Sequence, residues 1–243
     1  RKKLDTPVEH FSVRRAERSI EKCDVALLVL DALAPGTAQD RRIAHIIQDH
    51  GKPCIVVGNK WDLLEDQMPP EDFCGVIRSL LPAMAHCPVI PVSALTGENL
   101  EGIVEALLEI RDELNTTVPT GVLNRFLSDL MATTPPSVPK KVGVLPKVYY
   151  ATMTNNAPPT FNLFVNKKEA FSKNYLQFLR NQLRAAFFPQ GGLPIELVLI
   201  GHHSAPTELR GRRAAIAGAV RQKQTGKGKR SPKKHDRSGK RGR

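Results

Sequence analysis

Three short, almost wholly apolar runs, Val25-Ala-Leu-Leu-Val-Leu30, Cys54-Ile-Val-Val57 and Val89-Ile-Pro-Val92, restrict this chain more than any other feature. Each is too brief for a buried helix and is bounded by polar residues, the pattern of a strand in a parallel sheet covered on both faces. The segments between them change period. Ile43, Ile46 and Ile47 lie three and four apart within Gln39 to His50, a further helical stretch covers Glu71 to Leu81, and Leu100, Ile103, Val104, Leu107 and Leu108 line one face of Asn99 to Leu114. Val8, Phe11, Ala16 and Ile20 give an amphipathic helix from Thr6 to Lys22. Alternation of strand and helix predicts an α/β fold, a doubly wound parallel sheet of three strands. Its ligand site belongs at the carboxyl ends of the strands, where Asp31, Asn59 to Asp62 and Ser93 to Leu95 sit.

Two of those ends carry chemistry. Asn59-Lys-Trp-Asp62 places a carboxylate beyond the middle strand, able to accept from guanine N1 and N2 together, a paired, charge-assisted contact that the adenine edge cannot make. Asn59 would complete the purine edge or brace the loop, Lys60 would lay its alkyl stem along the ring, and the backbone N–H of Ala94 or Leu95 would meet guanine O6. Asn and Asp also favour ordinary strand-to-loop turns. The position of both motifs after buried-type strands favours base reading. A phosphate-cradling G-x-x-x-x-G-K-[ST] loop is missing, and so is a phosphate-sensing Asp-x-x-Gly upstream of Asp62; Asp72-Phe-Cys-Gly75 has those letters but follows the base-reading motif. The expectation is a partial P-loop GTPase domain that starts inside the fold, binds guanine nucleotides weakly at best and hydrolyses no GTP alone, with no catalytic residues or Mg²⁺ ligands of its own. The absent neighbouring strand should leave Val25 to Leu30 as an exposed sheet edge.

The polar, Pro/Gly-bearing Asn115-Thr-Thr-Val-Pro-Thr-Gly121 marks a boundary. Beyond it, Leu123, Phe126, Leu127, Leu130 and Met131 make a helical face; strands are expected at Lys147 to Thr152 and Thr160 to Val165, a helix at about Lys168 to Phe187 and a strand at Ile195 to Ile200. That order describes a small α+β layer of the size of many nucleic-acid modules. Charge separates along the chain as well. Residues 1–119 carry 13 basic and 19 acidic side chains, and residues 210–243 carry 14 basic and 1 acidic. This last segment has no Phe, Tyr or Trp and cannot offset its ordering entropy by burial, so a disordered basic tail is expected. Arg210, Arg212, Arg213, Lys227, Lys229, Arg230, Lys233 and Lys234 are its candidate RNA contacts, through salt-sensitive neutralisation of phosphates. Cys23, Cys54, Cys74 and Cys87 lie in or beside apolar segments without C-x-x-C pairing and read as buried thiols. No apolar run approaches a membrane span, so no membrane partner and a cytoplasmic location are expected.

These residues resemble the bacterial double-GTPase Der, or EngA, family. The resemblance rests on Val8-Glu-His-Phe-Ser-Val13, Asp24 to Asp31, Asn59-Lys-Trp-Asp62, Ser93-Ala-Leu-Thr-Gly97, Thr120-Gly-Val-Leu-Asn124, Pro135-Pro136, Tyr149-Tyr-Ala-Thr152, Pro158-Pro-Thr-Phe161, Tyr175 to Gln182 and Gly192-Leu-Pro-Ile195. It implies the latter part of a second GTPase domain over residues 1–118, a KH-like domain over 119–201 and the basic tail over 202–243. The guanine-binding residues it transfers are Asn59, Lys60, Trp61, Asp62, Ser93, Ala94 and Leu95. It further implies GTP or GDP as ligand, Mg²⁺ in the longer parent, a monomer, and GTPase action in ribosome biogenesis with ribosomal RNA and the large ribosomal subunit as partners. The KH clamp for RNA backbone needs a G-x-x-G loop between helices, and the spelling here, Gly239-Lys-Arg-Gly242, lies in the tail; direct clamping is not expected. The alternative is an RNA-binding or ribosome-assembly scaffold with a relic guanine pocket.

Overall fold

The computed structural model describes residues 7–140 and 142–201, which fall within one compact unit ending at Gly201. The tail cations proposed above as RNA contacts lie outside these residues. Along the chain run α1 (Pro7–Lys22), β1 (Ala26–Asp31), α2 (Ala38–Asp49), β2 (Cys54–Asn59), α3 (Pro70–Leu80), β3 (Val89–Val92), α4 (Leu100–Leu114), α5 (Thr120–Thr133), β4 (Val148–Asn156), β5 (Pro159–Val165), α6 (Lys173–Phe187) and β6 (Glu196–Gly201).

The first sheet has the order β1-β2-β3 and is wholly parallel, with Leu28 opposite Val56 and Val56 opposite Val89. One face is covered by α1, α2 and α3, whose Ile20, Ala44, Ile47, Phe73 and Ile77 pack with Ala26, Leu28, Leu30, Cys54 and Val56. Thr37 and Asp40 fix where α2 starts: the Asp40 N–H donates to Thr37 Oγ1 at 3.2 Å and the Thr37 N–H to Asp40 Oδ2 at 2.8 Å. Such a reciprocal cap contributes about 1 kcal/mol.

The other face departs from the expected cover on both sides. Ile55, Val57, Ile90 and Val92 are buried against Ala106 and Ile110 of α4, but Leu27 and Val29 of β1 remain 44% and 58% exposed. On α4 the stripe Leu100, Val104 and Leu108 is exposed too, while Ile103 and Leu107 sit partly buried. The physical reason is extent: β1 is the outer strand of the three, and among the described residues no element lies over its second face.

The second sheet has the order β4-β5-β6, antiparallel then parallel. Phe161, Leu163 and Val165 of β5 alternate inward against Leu123 and Leu127 of α5 and Leu179 and Leu183 of α6. Asn124 ties α5 to β4, its side chain donating to Ala151 O and accepting from Ala151 N, both at 2.8 Å. The expected helix from Lys168 divides into a 3-10 turn, Lys168–Ala170, and α6, because Ser172 caps the latter by accepting from Tyr175 N at 3.2 Å.

The two sheets are joined through one core. Phe188, Leu193 and Ile195 pack in the same cluster as Ile55, Ile90 and Ile110. Backbone bonds seal it: Cys54 N donates to Gly192 O at 2.9 Å and Gly192 N to His86 O at 3.0 Å. Gly191 and Gly192 have φ of 83° and 80°, and a Cβ at Gly191 would stand 2.4 Å from His86 O. Only glycine permits both that conformation and that approach.

All four cysteines are free; Cys54 and Cys87 are buried, whereas Cys23 and Cys74 are only partly so, which corrects the expectation of uniform burial. Among the described residues no helix is long and apolar enough to cross a membrane.

Candidate functional site

Register lines up the carboxyl ends of the first sheet: Asp31 pairs with Asn59, and Asn59 with Val92, so the residues that follow each strand emerge on one edge. The three loops are bonded to one another. Lys60 Nζ donates to Asp31 Oδ2 at 2.6 Å, linking the β2 loop to β1. Asn59 Oδ1 accepts from Ala94 N at 3.0 Å, linking it to the β3 loop. Asp31 Oδ1 accepts from Leu33 N at 3.0 Å. Those bonds, Lys60 foremost and then Leu33, hold the Asp31 carboxyl below its usual range.

Lys60 adopts a left-handed backbone, φ 72°, which costs a non-glycine residue about 1–2 kcal/mol and turns the chain sharply out of the strand. The turn continues as a 3-10 helix over Trp61–Leu63. Trp61 points away from the edge: its ring is 3% exposed and packs against Phe73 with centroids 5.1 Å apart. Its indole is thus a core group rather than part of the edge. Gly58 makes room for that packing, since a Cβ there would lie 2.4 Å from Phe73 Cε1.

Asp62 is the unusual member. Its Oδ1 is buried and has no hydrogen-bond partner among the described residues. A buried acceptor left unpaired costs about 1–3 kcal/mol, so it marks a place where a donor is missing. Beside it, Ser93 is fully buried and accepts from Thr96 N at 3.2 Å through Oγ, and Gly97 N donates to Ser93 O at 2.9 Å, closing the loop over itself. Leu95 is 88% exposed at the loop tip. With the Ala94 N–H already given to Asn59, the Leu95 N–H is the donor of that pair that remains free among the described residues.

Comparison with known proteins decides the family. Residues 3–113 match the elongation factor Tu GTP-binding domain, and residues 117–199 match the KH-domain-like C-terminal module of EngA bacterial GTPase enzymes. GTPase Der of Moorella thermoacetica is 38% identical over 197 residues, 81% of this chain and 44% of that protein. GTPase Der of Streptococcus uberis is 40% identical over 191 residues, 78% of this chain and 43% of that protein. The chain belongs to the GTPase Der family. It spans less than half the length of the relatives it matches.

In this Der-family chain Asp31, which the sequence places at the edge as the last residue of an apolar strand, anchors Lys60. The sequence motifs omit Glu65 and Glu98. Glu65 and Glu98 face each other beside Asp62: repulsion from Glu98, then burial, raises the Glu65 carboxyl above its usual value. They surround the Asp62 loop with negative charge, a feature of three-dimensional approach that spacing along the chain does not encode.

Proposed function

We propose that the carboxyl edge of the first sheet reads the base of a guanine nucleotide, and that the chain is the C-terminal part of a Der-type GTPase acting in ribosome biogenesis. Asp62 accepts from guanine N1 and N2, the Leu95 N–H donates to O6, and Asn59 acts as the brace that holds the β3 loop in place. Lys60, pinned by Asp31, lays its methylene stem along the purine. Ser93 shapes the loop from beneath. The observation that carries this reading is Asp62, whose Oδ1 has no hydrogen-bond partner among the described residues, in the loop that Asn59 ties to the Ala94 N–H of the β3 loop.

The division of labour follows: residues 1–118 supply the base-reading part of a GTPase domain, and residues 119–201 supply a KH-like module that, with the basic tail, engages ribosomal RNA and the large ribosomal subunit. Phosphoryl transfer needs a phosphate cradle, Mg²⁺ and a positioned water. The described residues hold no group of three His, Cys, Asp or Glu side chains that fits a metal ion, so no step is assigned to one. On this reading residues 1–243 bind the base without hydrolysing GTP on their own.

The test exchanges the base partner. Asp62→Asn replaces a double acceptor by a group with a donor, which suits xanthine, whose position 2 carries a carbonyl oxygen. Saturation-transfer NMR on chain 1–243 should detect GDP and not ADP, and the variant should lose GDP and gain xanthosine diphosphate. Equal signals from ADP and GDP, or GDP binding unchanged in Asp62→Ala, would refute the reading.

A further inference from the structure

At the opposite edge of the first sheet, where β2 begins and Cys87 and Pro88 lead into β3, two cavities adjoin along the seam with α6. The first, of about 410 Å³, has Arg78, His86, Asn181, Arg184 and Gln190 among its walls. The second, of about 340 Å³, has Lys52, His86, Arg180, Arg184 and Glu196. His86 and Arg184 therefore form the partition between them.

No carboxylate lines the first cavity. Among the described residues none of Arg78, Arg180 and Arg184 forms an ion pair within 4 Å. Arg184 is half-buried, and its guanidinium is held in place by Nε donating to Leu193 O at 3.4 Å and Nη1 to Asn181 Oδ1 at 3.3 Å. Its Nη2 has no acceptor among the described residues. Arg180 stands one turn earlier on the same helix, a like-charge spacing that destabilises a helix unless something between the two absorbs the charge. Glu196, on the wall of the second cavity, offsets part of the charge of Arg180, and Glu113 part of that of Arg184; Glu113 Oε1 accepts from Gln190 N at 2.8 Å and Glu113 lines neither cavity, so the first cavity keeps its positive charge.

A desolvated, pre-positioned guanidinium with free donors, a second arginine across the same cavity and neutral amide donors beside them match a tetrahedral oxyanion. We propose that this seam is a phosphate-binding site, in which Arg184 and Arg78 clasp the phosphate group of a small ligand or of an RNA strand, with Asn181 and His86 completing the donor set. It is separate from the base-reading edge, because Cys54 and Pro88 lie at the starts of the strands whose ends carry Asn59 and Ser93. Occupation would bridge α3 and α6, so ligand binding here ties the two sheets more tightly together.

The His86 imidazole, which lines both cavities, is a local reporter of the seam. Its C2–H resonance, assigned by its loss in His86→Gln, is followed while inorganic phosphate replaces chloride at constant ionic strength in chain 1–243. The expected result is a saturable, millimolar shift that disappears in Arg184→Gln and weakens roughly tenfold in Arg78→Gln, the loss of one charge-assisted contact. Arg78 is exposed on α3, so its variant tests the site even if Arg184→Gln fails to fold. A short oligouridylate RNA distinguishes the sources: saturation of the same resonance at lower concentration assigns the phosphate to an RNA strand, and a response to inorganic phosphate alone assigns it to a small ligand. A His86 resonance that neither probe saturates, or an undiminished response in Arg78→Gln, overturns the proposal.

Discussion

Asp31 and Lys60 show how one exposed ion pair can position a loop side chain without adding much stability. Their 2.6 Å contact is screened by solvent, and exposed pairs of this kind contribute little to folding. What it does is orient: Lys60 leaves the strand with φ 72° and would otherwise have four free torsions, so the carboxylate fixes where its stem lies. Because the pair holds the Asp31 carboxyl low, its contribution is present above the ordinary carboxylate range and is lost as pH falls through the depressed value. Carbon-detected NMR titration of Asp31 should give a midpoint below that of an unperturbed aspartate, and Lys60→Gln should return it upward; a midpoint that does not move with Lys60 would show that the Leu33 N–H alone sets it. Of this edge the sequence made Asn59, Lys60, Asp62 and the β3 loop legible, because strand ends in a parallel sheet must converge on one side. It did not reveal that Ala94 spends its N–H on Asn59, since which of two adjacent donors is free depends on loop geometry.

The strands and helices themselves were readable to within a few residues, while their coverage was not. Periodicity in α4 reports that Leu100, Val104 and Leu108 share a stripe, not that anything packs on it, and the same holds for Leu27 and Val29 in β1. Trp61 is the reverse case. Its place inside the motif suggests the loop, but the side chain turns into the core because Gly58 lets Phe73 approach the strand beneath it. A single methyl there forces the ring or the strand to shift, and overpacking of this sort typically costs 1–3 kcal/mol. Gly58→Ala should thus lower the urea midpoint by an amount equivalent to about 1–3 kcal/mol with little change in slope, and should alter Trp61 fluorescence in the folded state. A variant as stable as the wild type, with unchanged emission, would mean that the β2 and α3 packing is looser than the geometry implies.

At the scale of the whole molecule the seam is the controlling feature. Burial first, and then the charge of Arg184, push the His86 imidazole down from 6.5 to about 4. The unfolded chain takes up a proton near pH 6.5 while the folded chain resists until about 4, so the unfolded state binds more protons in that window and stability falls as pH is lowered through it. The expected slope is at most about 1.4 kcal/mol per pH unit, and His86→Gln should flatten it between about pH 6.5 and 5, above the main carboxylate range. The same seam determines whether the sheets unfold separately. One apolar cluster runs from Ile55 and Ile90 through Ile110 to Phe161 and Leu193, with the Cys54 to Gly192 backbone bond stitched across it. Separate unfolding would expose that shared surface and break those bonds, so the two halves should melt together. The chain provides its own probes, because its single Trp, Trp61, lies in the first half and its tyrosines, Tyr149, Tyr150 and Tyr175, all lie in the second. Urea transitions followed by tryptophan emission and by tyrosine near-ultraviolet dichroism should coincide at pH 7.5. In Gly191→Ala, where a Cβ meets His86 O at 2.4 Å in a left-handed backbone, the seam is forced apart and the curves should separate. Distinct midpoints already in the wild type would show that the shared core does not couple the sheets.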